Sequence, residues 1–272
     1  MDDEIVVLFC LIDEFLHSIG HHEDRQCQLS DAEVLTTMLA AVLYFGGNFE
    51  RARLLLQAQH YIPGMLSRSR FNRRSHRLRF LLPLLFAVLA ETWKALNEDA
   101  IYSIDTFPVP VCDNIRIFRC HIYQDEAFRG YTASKHRYFY GLKLHLMVTC
   151  DGRPVEFFLT PAAEADVAGL PGFAFDLPEG AYIFADKAYN DYLIEDLLAE
   201  ANLHLLPQRK KNSKRPLPPW WVYLQQLYRK RIETAFSLIA QRLPKSIHAV
   251  TAAGFELKVV LFVLALSLSY LQ

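Results

Sequence analysis

The spacing of apolar residues changes near residue 100, and this change constrains the fold more than any other feature of the chain. Before it, apolar residues recur at helical spacing, and Ser30 with Glu33 forms a capping-box pattern at the start of a long helix. After it, residues 101–105 begin a series of short segments typical of β-strands. The sequence therefore predicts an all-α region over residues 1–98 and an α/β region over residues 99–272.

The α/β region is predicted to contain five strands. Pro108 and Pro110 are expected to end the first strand, residues 111–137 to be irregular, and Asp151-Gly152 to form a hairpin turn. Three consecutive strands followed by alternating helices and strands favour a mixed sheet of the ribonuclease-H type, with helices at the C-terminus. The predicted strands are 101–105, 138–149, 155–160, 181–185 and 203–206, and the later helices are 164–172, 191–201, 221–243 and a final apolar segment.

The all-α region contains a predicted helix pair followed by a run of arginines. Gly46-Gly47-Asn48 separates a first helix from a second over residues 49–59, which fits a helix-turn-helix or a plain helical hairpin. Six arginines then occur within residues 68–79, on a segment that either contacts DNA or is a solvated helix. The arginines taken as DNA-binding candidates are Arg68, Arg70, Arg73, Arg74 and Arg77.

Charge is segregated along the chain although the net charge is only −1. Residues 1–50 carry ten acidic side chains and one basic one, Arg25, whereas residues 209–231 carry eight basic side chains and no acidic one. The basic segment suggests contact with a polyanion, and a solvated basic face is the alternative. Trp220-Trp221 in the same segment either stack on bases or pack in a domain seam.

The cysteines and the C-terminal apolar run exclude other classes of protein. Five cysteines without a C-x-x-C pair disfavour a disulfide framework and favour a reducing cytoplasm. Cys112, Cys120 and His121 lack a fourth ligand for a zinc site. The apolar run over residues 259–271 is shorter than the roughly 20 residues of a membrane-spanning helix, so a buried helix and no membrane contact are expected.

Three acids occupy positions that suit a metal site. Asp105 ends the first predicted strand, Asp186 ends the fourth, and Glu233 lies within a late helix. Strands one and four are neighbours in the ribonuclease-H fold, so the two aspartates can share a divalent cation. Because Mg²⁺ prefers carboxylate oxygens, and phosphodiester chemistry uses two such ions about 4 Å apart, these three acids are the predicted metal-binding and catalytic residues.

Four sequence blocks resemble a known family. They are residues 104–112 (IDTFPVPVC, with Asn114, Arg116 and Ile117 after it), 140–145 (YGLKLH), 185–189 (ADKAY) and 231–237 (RIETAFS). In this order they resemble bacterial insertion-sequence DDE transposases, closest to the insertion sequence nine-eight-two group. The resemblance implies a ribonuclease-H-like core, two Mg²⁺ or Mn²⁺ ions, double-stranded DNA (terminal inverted repeats and target) as substrate, a homodimer in the synaptic complex, and a bacterial or archaeal cytoplasm, at the nucleoid.

One part of the pattern departs from related transposases. These often carry Tyr-x-x-Arg-x-x-x-Glu followed seven residues later by Lys. Here Arg229 keeps its spacing to Glu233, but Gln226 and Ala240 occupy the tyrosine and lysine positions, with Tyr228 and Arg242 close by as substitutes. The resemblance therefore does not imply the hairpin-forming chemistry associated with that pattern.

Residues near the acids have two possible roles each. Lys187 contacts a phosphate or is a surface lysine, and Arg229 and Arg231 orient Glu233 or contact the DNA backbone. In the basic segment, Arg209, Lys210 and Lys211 are candidate phosphate contacts. Lys143 and His145 point to the site or to solvent, and a structural role is the favoured alternative for His145. Asp166 is a candidate neighbour of the metal ligands.

Two rival functions remain open from the sequence. One is a nuclease with the same core that hydrolyses DNA without strand transfer, and the other is a domesticated or inactive DNA-binding protein derived from a transposase. A strand-transfer assay distinguishes a nuclease from a transposase. Inverted repeats in the DNA flanking the gene would indicate a transposase, and their absence would favour a domesticated protein.

Overall fold

The computed structural model describes residues 2–24, 26–132, 136–242, 247 and 249–271. It divides the chain into two compact units, Met1–Ala87 with Ile239–Gln272, and Val88–Leu238. The helices are α1 (Asp2–Ser18), α2 (Asp31–Phe45), α3 (Phe49–Ala58), α4 (Arg68–Arg77), α5 (Leu81–Ala95), α6 (Tyr192–Glu200), α7 (Pro219–Arg242) and α8 (Ala252–Leu268). The strands are β1 (Ile101–Asp113), β2 (Arg129–Thr132), β3 (Arg137–Thr149), β4 (Pro154–Pro161), β5 (Tyr182–Ala185) and β6 (His204–Pro207).

Helix α2 begins and ends as its sequence predicts. The Ser30 hydroxyl accepts from the Glu33 N–H at 3.1 Å, and the Glu33 carboxylate accepts from the Ser30 N–H at 2.7 Å. The helix ends at Gly46, whose φ of 55° is the left-handed conformation that glycine adopts without strain. The following helix, α3, is bent from α2 by 108°. This angle suits a helix-turn-helix, and DNA binding by the pair stays a prediction.

The C-terminal helix α8 belongs to the helical unit, which corrects its predicted grouping with the α/β region. The helix is apolar on every side, and eleven of its residues are buried. A helix of this kind has to be surrounded by other elements, and α2 and α4 of the same unit pack against it. Phe262, for example, lies close to Gly47 at the α2–α3 turn.

The other unit is built on a mixed six-stranded sheet in the order β2-β3-β1-β5-β6, with β4 also paired to β3. β1 runs parallel to β5, and β5 parallel to β6, whereas β3 is antiparallel to β1, β2 and β4. The mixed α/β architecture is confirmed, and it is compatible with a ribonuclease-H-like core.

Two details of the sheet differ from the prediction. β1 continues through Pro108 and Pro110 to Asp113, although the prolines were expected to end it. β5 pairs with β1 only as far as Ile104, so beyond Ile104 this edge of β1 has no partner strand. Proline has no N–H to donate, and it is tolerated at such an unpaired edge. β2 lies within residues 111–137, which were predicted to be irregular; the predicted turn at Gly152 is present, with a φ of 89°.

Within the described residues, no single helix is both long and apolar enough to cross a membrane, and α2 with α3 pass that test only as a sharply bent pair. The predicted end of α7 at Leu243 lies outside the described residues.

Candidate active site

Strand pairing brings Asp105, within β1, next to Asp186, which directly follows the end of β5. Asp105 was expected to end its strand, but β1 continues to Asp113, and only its pairing with β5 stops before Asp105. Ile104 and Ala185 are partners in the parallel β1–β5 ladder, and each is followed directly by an aspartate. β5 ends there, and the Asp186 carboxylate accepts from the N–H of Lys187 at 2.7 Å, which caps a short 3-10 helix over Lys187–Tyr189. The backbone register, rather than a side-chain contact, therefore sets the position of this acid pair.

Asp105 is a largely buried carboxylate. Its Oδ1 accepts from the N–H of Thr106 at 2.8 Å. Burial raises the pKa of Asp105 to about 6, and the negative charge of Asp186 adds to this rise, while the Thr106 hydrogen bond and the Arg229 guanidinium act in the opposite direction. A buried carboxylate with so little compensation for its charge favours a bound cation.

Helix α7 is fixed to the sheet by aromatic packing and one amide side chain. Trp221 packs on Tyr182 at 4.6 Å between ring centroids, and Tyr228 stacks on Phe184 at 5.6 Å. Gln225 donates to the carbonyls of Ala185 (3.3 Å) and Leu206 (2.7 Å), at the ends of β5 and β6. These contacts fix the position of α7 relative to β5 and β6. Tyr228 packs on the sheet rather than facing the acids.

Arg229 joins the helix acid to the sheet acids. Its Nη1 donates to Asp186 Oδ1 at 3.2 Å and to Gln208 Oε1 at 3.1 Å, and its Nε donates to Glu233 Oε1 at 3.0 Å. Asp186 and Glu233 therefore contact opposite parts of one guanidinium. Glu233 is half exposed and turned towards Arg229, and no group of three metal-binding side chains is assembled among the described residues.

The donor set at the sheet end fits a divalent cation. Asp105 and Asp186 supply carboxylate oxygens, which are the ligands that Mg²⁺ prefers, and Asp105 lies in surroundings that do not otherwise neutralise it. Glu233 contacts Arg229 instead. The register of β1 and β5 therefore fixes two of the three predicted ligands, and the third is paired with a guanidinium.

A further ion pair and a tyrosine lie beside Asp105. Lys143 donates to Asp166 Oδ1 at 2.8 Å and to the Glu164 carbonyl at 2.6 Å, so Asp166 is neutralised by Lys143 near the acids. Tyr189 is buried, and burial together with the charges of Asp105 and Asp166 raises its pKa. Tyr189 was not predicted as a neighbour of the site, although it stands three residues after Asp186 in the 185–189 block. Gln208 was also missed, because no local pattern marks it.

His145 is a core residue. It is fully buried, stacks on Phe158 at 4.5 Å between ring centroids, and hydrogen-bonds through Nε2 with Thr160 Oγ1 at 3.0 Å. Burial lowers the pKa of His145 to about 4. A Cβ at Gly169 would lie 2.2 Å from the ring, so the ring is tightly enclosed. His145 is therefore neutral near pH 7 and packs the sheet.

The basic candidates fall into two groups. Arg74 donates to Asp31, Cys27 and the Leu29 carbonyl. Arg209 forms a bidentate ion pair with the buried Glu195, with both hydrogen bonds at 2.7 Å. With Arg229, these guanidinium groups hold protein acids. The exposed candidates are Arg68, Arg70, Arg73, Arg77, Lys187, Lys210, Lys211 and Arg231.

Some of these exposed residues share grooves. Arg70, Arg73 and Arg77 line one open groove in the helical unit. Lys187, Lys210 and Lys211 line another, together with Gln208 and Gln225, and it adjoins the acids because Gln208 contacts Arg229. Trp220 is 55% exposed beside the packed Trp221. Cys112, Cys120 and His121 do not form a metal-binding group in the described part of the chain.

Comparison with known families agrees with this geometry. A family model described as transposase DDE domain matches residues 95–245, more than half of the chain, and the match spans Asp105, Asp186 and Glu233. Comparisons with curated proteins and with solved structures found no significant match. DDE transposase domains generally use divalent metals. The chain belongs to the transposase DDE domain family.

Proposed function

We propose that this protein cleaves DNA at the terminal inverted repeats of an insertion sequence and joins the freed ends to target DNA. The observation that carries the proposal is that Asp105 and Asp186 lie next to each other where the β1–β5 pairing ends, with Glu233 on α7 bound to the same guanidinium, that of Arg229, as Asp186. In a transposase DDE domain, these are the acids expected to bind two Mg²⁺ or Mn²⁺ ions. The ions would stabilise the charge that develops on the attacking and leaving oxygens of a phosphodiester.

The chain's own residues position the acids and the substrate. The β1–β5 register holds the two aspartates, and α7 carries Glu233 close enough to complete the ligand set when Arg229 turns to another partner. A DNA phosphate is such a partner, because guanidinium groups form strong paired hydrogen bonds with phosphate oxygens. Arg229 therefore orients Glu233 in the free protein and contacts the DNA backbone in the complex.

DNA contacts are assigned to the exposed basic residues. Lys187, Lys210 and Lys211 line the groove beside the acids and are proposed to hold flanking phosphates, with Arg231 on α7 as a further contact. The exposed arginines of α4 are proposed to contact the repeat ends. Arg74 and Arg209 are excluded from these roles, because their guanidinium groups hold Asp31 and Glu195. Two copies of the chain are proposed to act together, one at each end of the element.

A strand-transfer assay on the full chain tests the proposal. Duplexes that end in the element's inverted repeat are incubated with supercoiled plasmid and Mg²⁺, and both cleavage at the repeat end and joining to the plasmid are measured. Joining that is lost in Glu233→Gln supports the proposal. Cleavage without joining would assign a nuclease, and binding without cleavage would assign a DNA-binding protein derived from a transposase.

A further inference from the structure

A short 3-10 helix after β1 exposes two apolar side chains almost completely. The helix is Asn114–Arg119, and within it Ile115 is 91% and Phe118 is 94% exposed. Three residues make one turn of a 3-10 helix, so Ile115 and Phe118 share one edge. Arg116 and Arg119, also three residues apart, share the next edge. We call residues 114–119 the ridge.

The ridge is supported at its base. β1 remains paired with β3 up to Asp113, opposite Phe139, and Asp113 forms an ion pair with Arg137 at 3.4 Å. At the other end of the ridge, the Cys120 N–H donates to the Ile117 carbonyl at 3.0 Å, and the Cys120 thiol donates to the Ile122 carbonyl. The two apolar side chains therefore stand on a supported turn.

The exposed area is too small for a stable protein interface. A large aromatic side chain buries about 150–250 Å², whereas a standard interface buries about 800 Å² on each partner. The cores of protein interfaces are also depleted of charged residues, and here two arginines lie directly beside the apolar pair. Asp113, at the base of the ridge, already contacts Arg137, and Arg116 and Arg119 are exposed, so the ridge presents positive charge.

Duplex DNA fits both properties of the ridge. Proteins that bend DNA insert one or two apolar side chains between base pairs, and adjacent basic side chains contact the phosphates. We propose that Ile115 and Phe118 insert between stacked base pairs of bound DNA, while Arg116 and Arg119 hold the flanking phosphates. The proposal rests on the proposed function, since DNA has to be bound before the ridge can insert.

The length of β1 limits where insertion occurs. Eight residues separate Asp105 from Asp113, which is at most about 26 Å along a strand. The 3-10 helix adds at most about 10 Å from Asp113 to Phe118, at about 2.0 Å per residue. At about 3.4 Å per base pair, the unstacked step therefore lies within about eleven base pairs of the phosphate held at the acids. Insertion there would bend the end of the element close to the position of cleavage.

Unwinding of a closed plasmid tests the insertion directly and needs no knowledge of the repeat sequence. Relaxed plasmid is incubated with the full chain and a metal-independent topoisomerase in EDTA, the protein is removed, and the change in linking number is measured. Side chains that separate base pairs untwist the duplex, so the wild-type chain is expected to leave negative supercoils. Binding to the same plasmid is measured in parallel by filter retention.

The variants separate insertion from binding. Ile115→Ala with Phe118→Ala is expected to lose most of the unwinding and to bind with nearly unchanged affinity, while Phe118→Trp retains unwinding because the larger ring still inserts. Leu193→Ala is the matched control, since Leu193 is an apolar residue 69% exposed on α6 of the same unit. It is expected to unwind as the wild type does.

Four results would overturn the inference. If the wild type bound DNA without unwinding it, or if the double alanine variant still unwound DNA, insertion would be refuted and the proposed function would be unaffected. A change in oligomeric state on light scattering, with unwinding unchanged, would assign the ridge to contact with a second copy. No binding to DNA at all would overturn the insertion and the proposed function together.

Discussion

The end of the sheet and helix α7 hold their acids by different means. Asp105 and Asp186 are placed by backbone pairing, because Ile104 and Ala185 stand opposite each other in parallel strands. Glu233 is placed by a side chain, because Arg229, one turn earlier, holds it at 3.0 Å. An acid placed by strand register keeps its position when the ligands change. An acid held by a guanidinium can move without any change in the backbone, so we expect Glu233 on α7 to be the adjustable one of the three proposed ligands.

The largest expected effect is on metal binding and cleavage. Asp105→Asn and Asp186→Asn are expected to lose Mn²⁺ binding, whereas Glu233→Gln is expected to retain one ion, because the two sheet acids are proposed to form a site on their own. Each variant is expected to lose at least about 10³-fold in Mg²⁺-dependent cleavage, since catalytic residues that act as a unit are each needed for the full rate. Electron paramagnetic resonance counts the bound Mn²⁺, and a repeat-end duplex reports cleavage.

Asp176→Asn is the control for these variants. Asp176 pairs with Lys94 at the surface and is 83% exposed, so its loss should leave metal binding and cleavage unchanged. If Glu233→Gln bound both ions as tightly as the wild type, Glu233 would not be a ligand, and the contrast between sheet and helix would fail.

The same contrast extends to the basic segment. Arg209 and Glu195 form an ion pair whose side chains are 9% and 7% exposed, whereas Lys210 is exposed. Removing one partner of a buried pair leaves the other charge uncompensated, so Arg209→Ala is expected to lower the free energy of unfolding by about 3–5 kcal/mol. Lys210→Ala should change it by less than about 0.5 kcal/mol. Urea unfolding of the full chain measures both, and equal effects would contradict the assignment of Arg209 to the interior.

Burial of Asp105 predicts a stability change that depends on pH. Its pKa is raised from 3.8 to about 6, so the folded protein binds a proton more tightly than the unfolded chain. The ionised carboxylate therefore destabilises the fold, and this cost is absent below about pH 4, grows between about pH 4 and pH 6, and is complete above about pH 6. This difference between the pKa of the folded and of the unfolded chain corresponds to about 3 kcal/mol.

Asp105→Asn removes this cost. In EDTA, its free energy of unfolding should exceed that of the wild type by up to about 3 kcal/mol at pH 8 and by little at pH 4. Asp176→Asn, at an exposed carboxylate paired with Lys94, is the control and should change the free energy of unfolding by less than about 0.5 kcal/mol at either pH. The same difference at both pH values would show that the Asp105 charge is not the cause.

The smallest expected effect concerns Arg229. Its guanidinium competes with a cation for Asp186 and Glu233, and such half-exposed ion pairs contribute about 0.2–1 kcal/mol. Arg229→Gln should therefore raise the affinity for Mn²⁺ without DNA by up to about fivefold. Arg229→Lys, which keeps the charge, should show less of this gain. A weaker affinity in Arg229→Gln would mean that Arg229 assembles the ligands rather than competing for them.

The sequence predicted correctly those elements that depend on interactions between residues close together in the chain. The capping box at Ser30, the turn at Gly152 and the strand that ends before Asp186 follow from short-range rules, and all three are present. The proximity of Asp105 to Asp186 followed from the order of strands and helices. These features need only nearby residues or a known strand order.

Long-range partners account for what the sequence did not predict. Arg74 and Arg209 look like phosphate contacts within basic runs, but their roles depend on Asp31 and Glu195, which are distant in sequence. β1 passes its prolines because β5 stops pairing at Ile104. The contact of Gln208 with Arg229 arises only once α7 packs on the sheet. A sequence pattern contains no signal for such pairings.

The most direct test of the metal site is the location of bound Mn²⁺ by anomalous diffraction from crystals of the full chain with DNA. The account predicts one ion between Asp105 and Asp186, and a second ion bound by Glu233 after it has left Arg229. Mn²⁺ bound elsewhere, or Glu233 still paired with Arg229 in the presence of both ions, would contradict it.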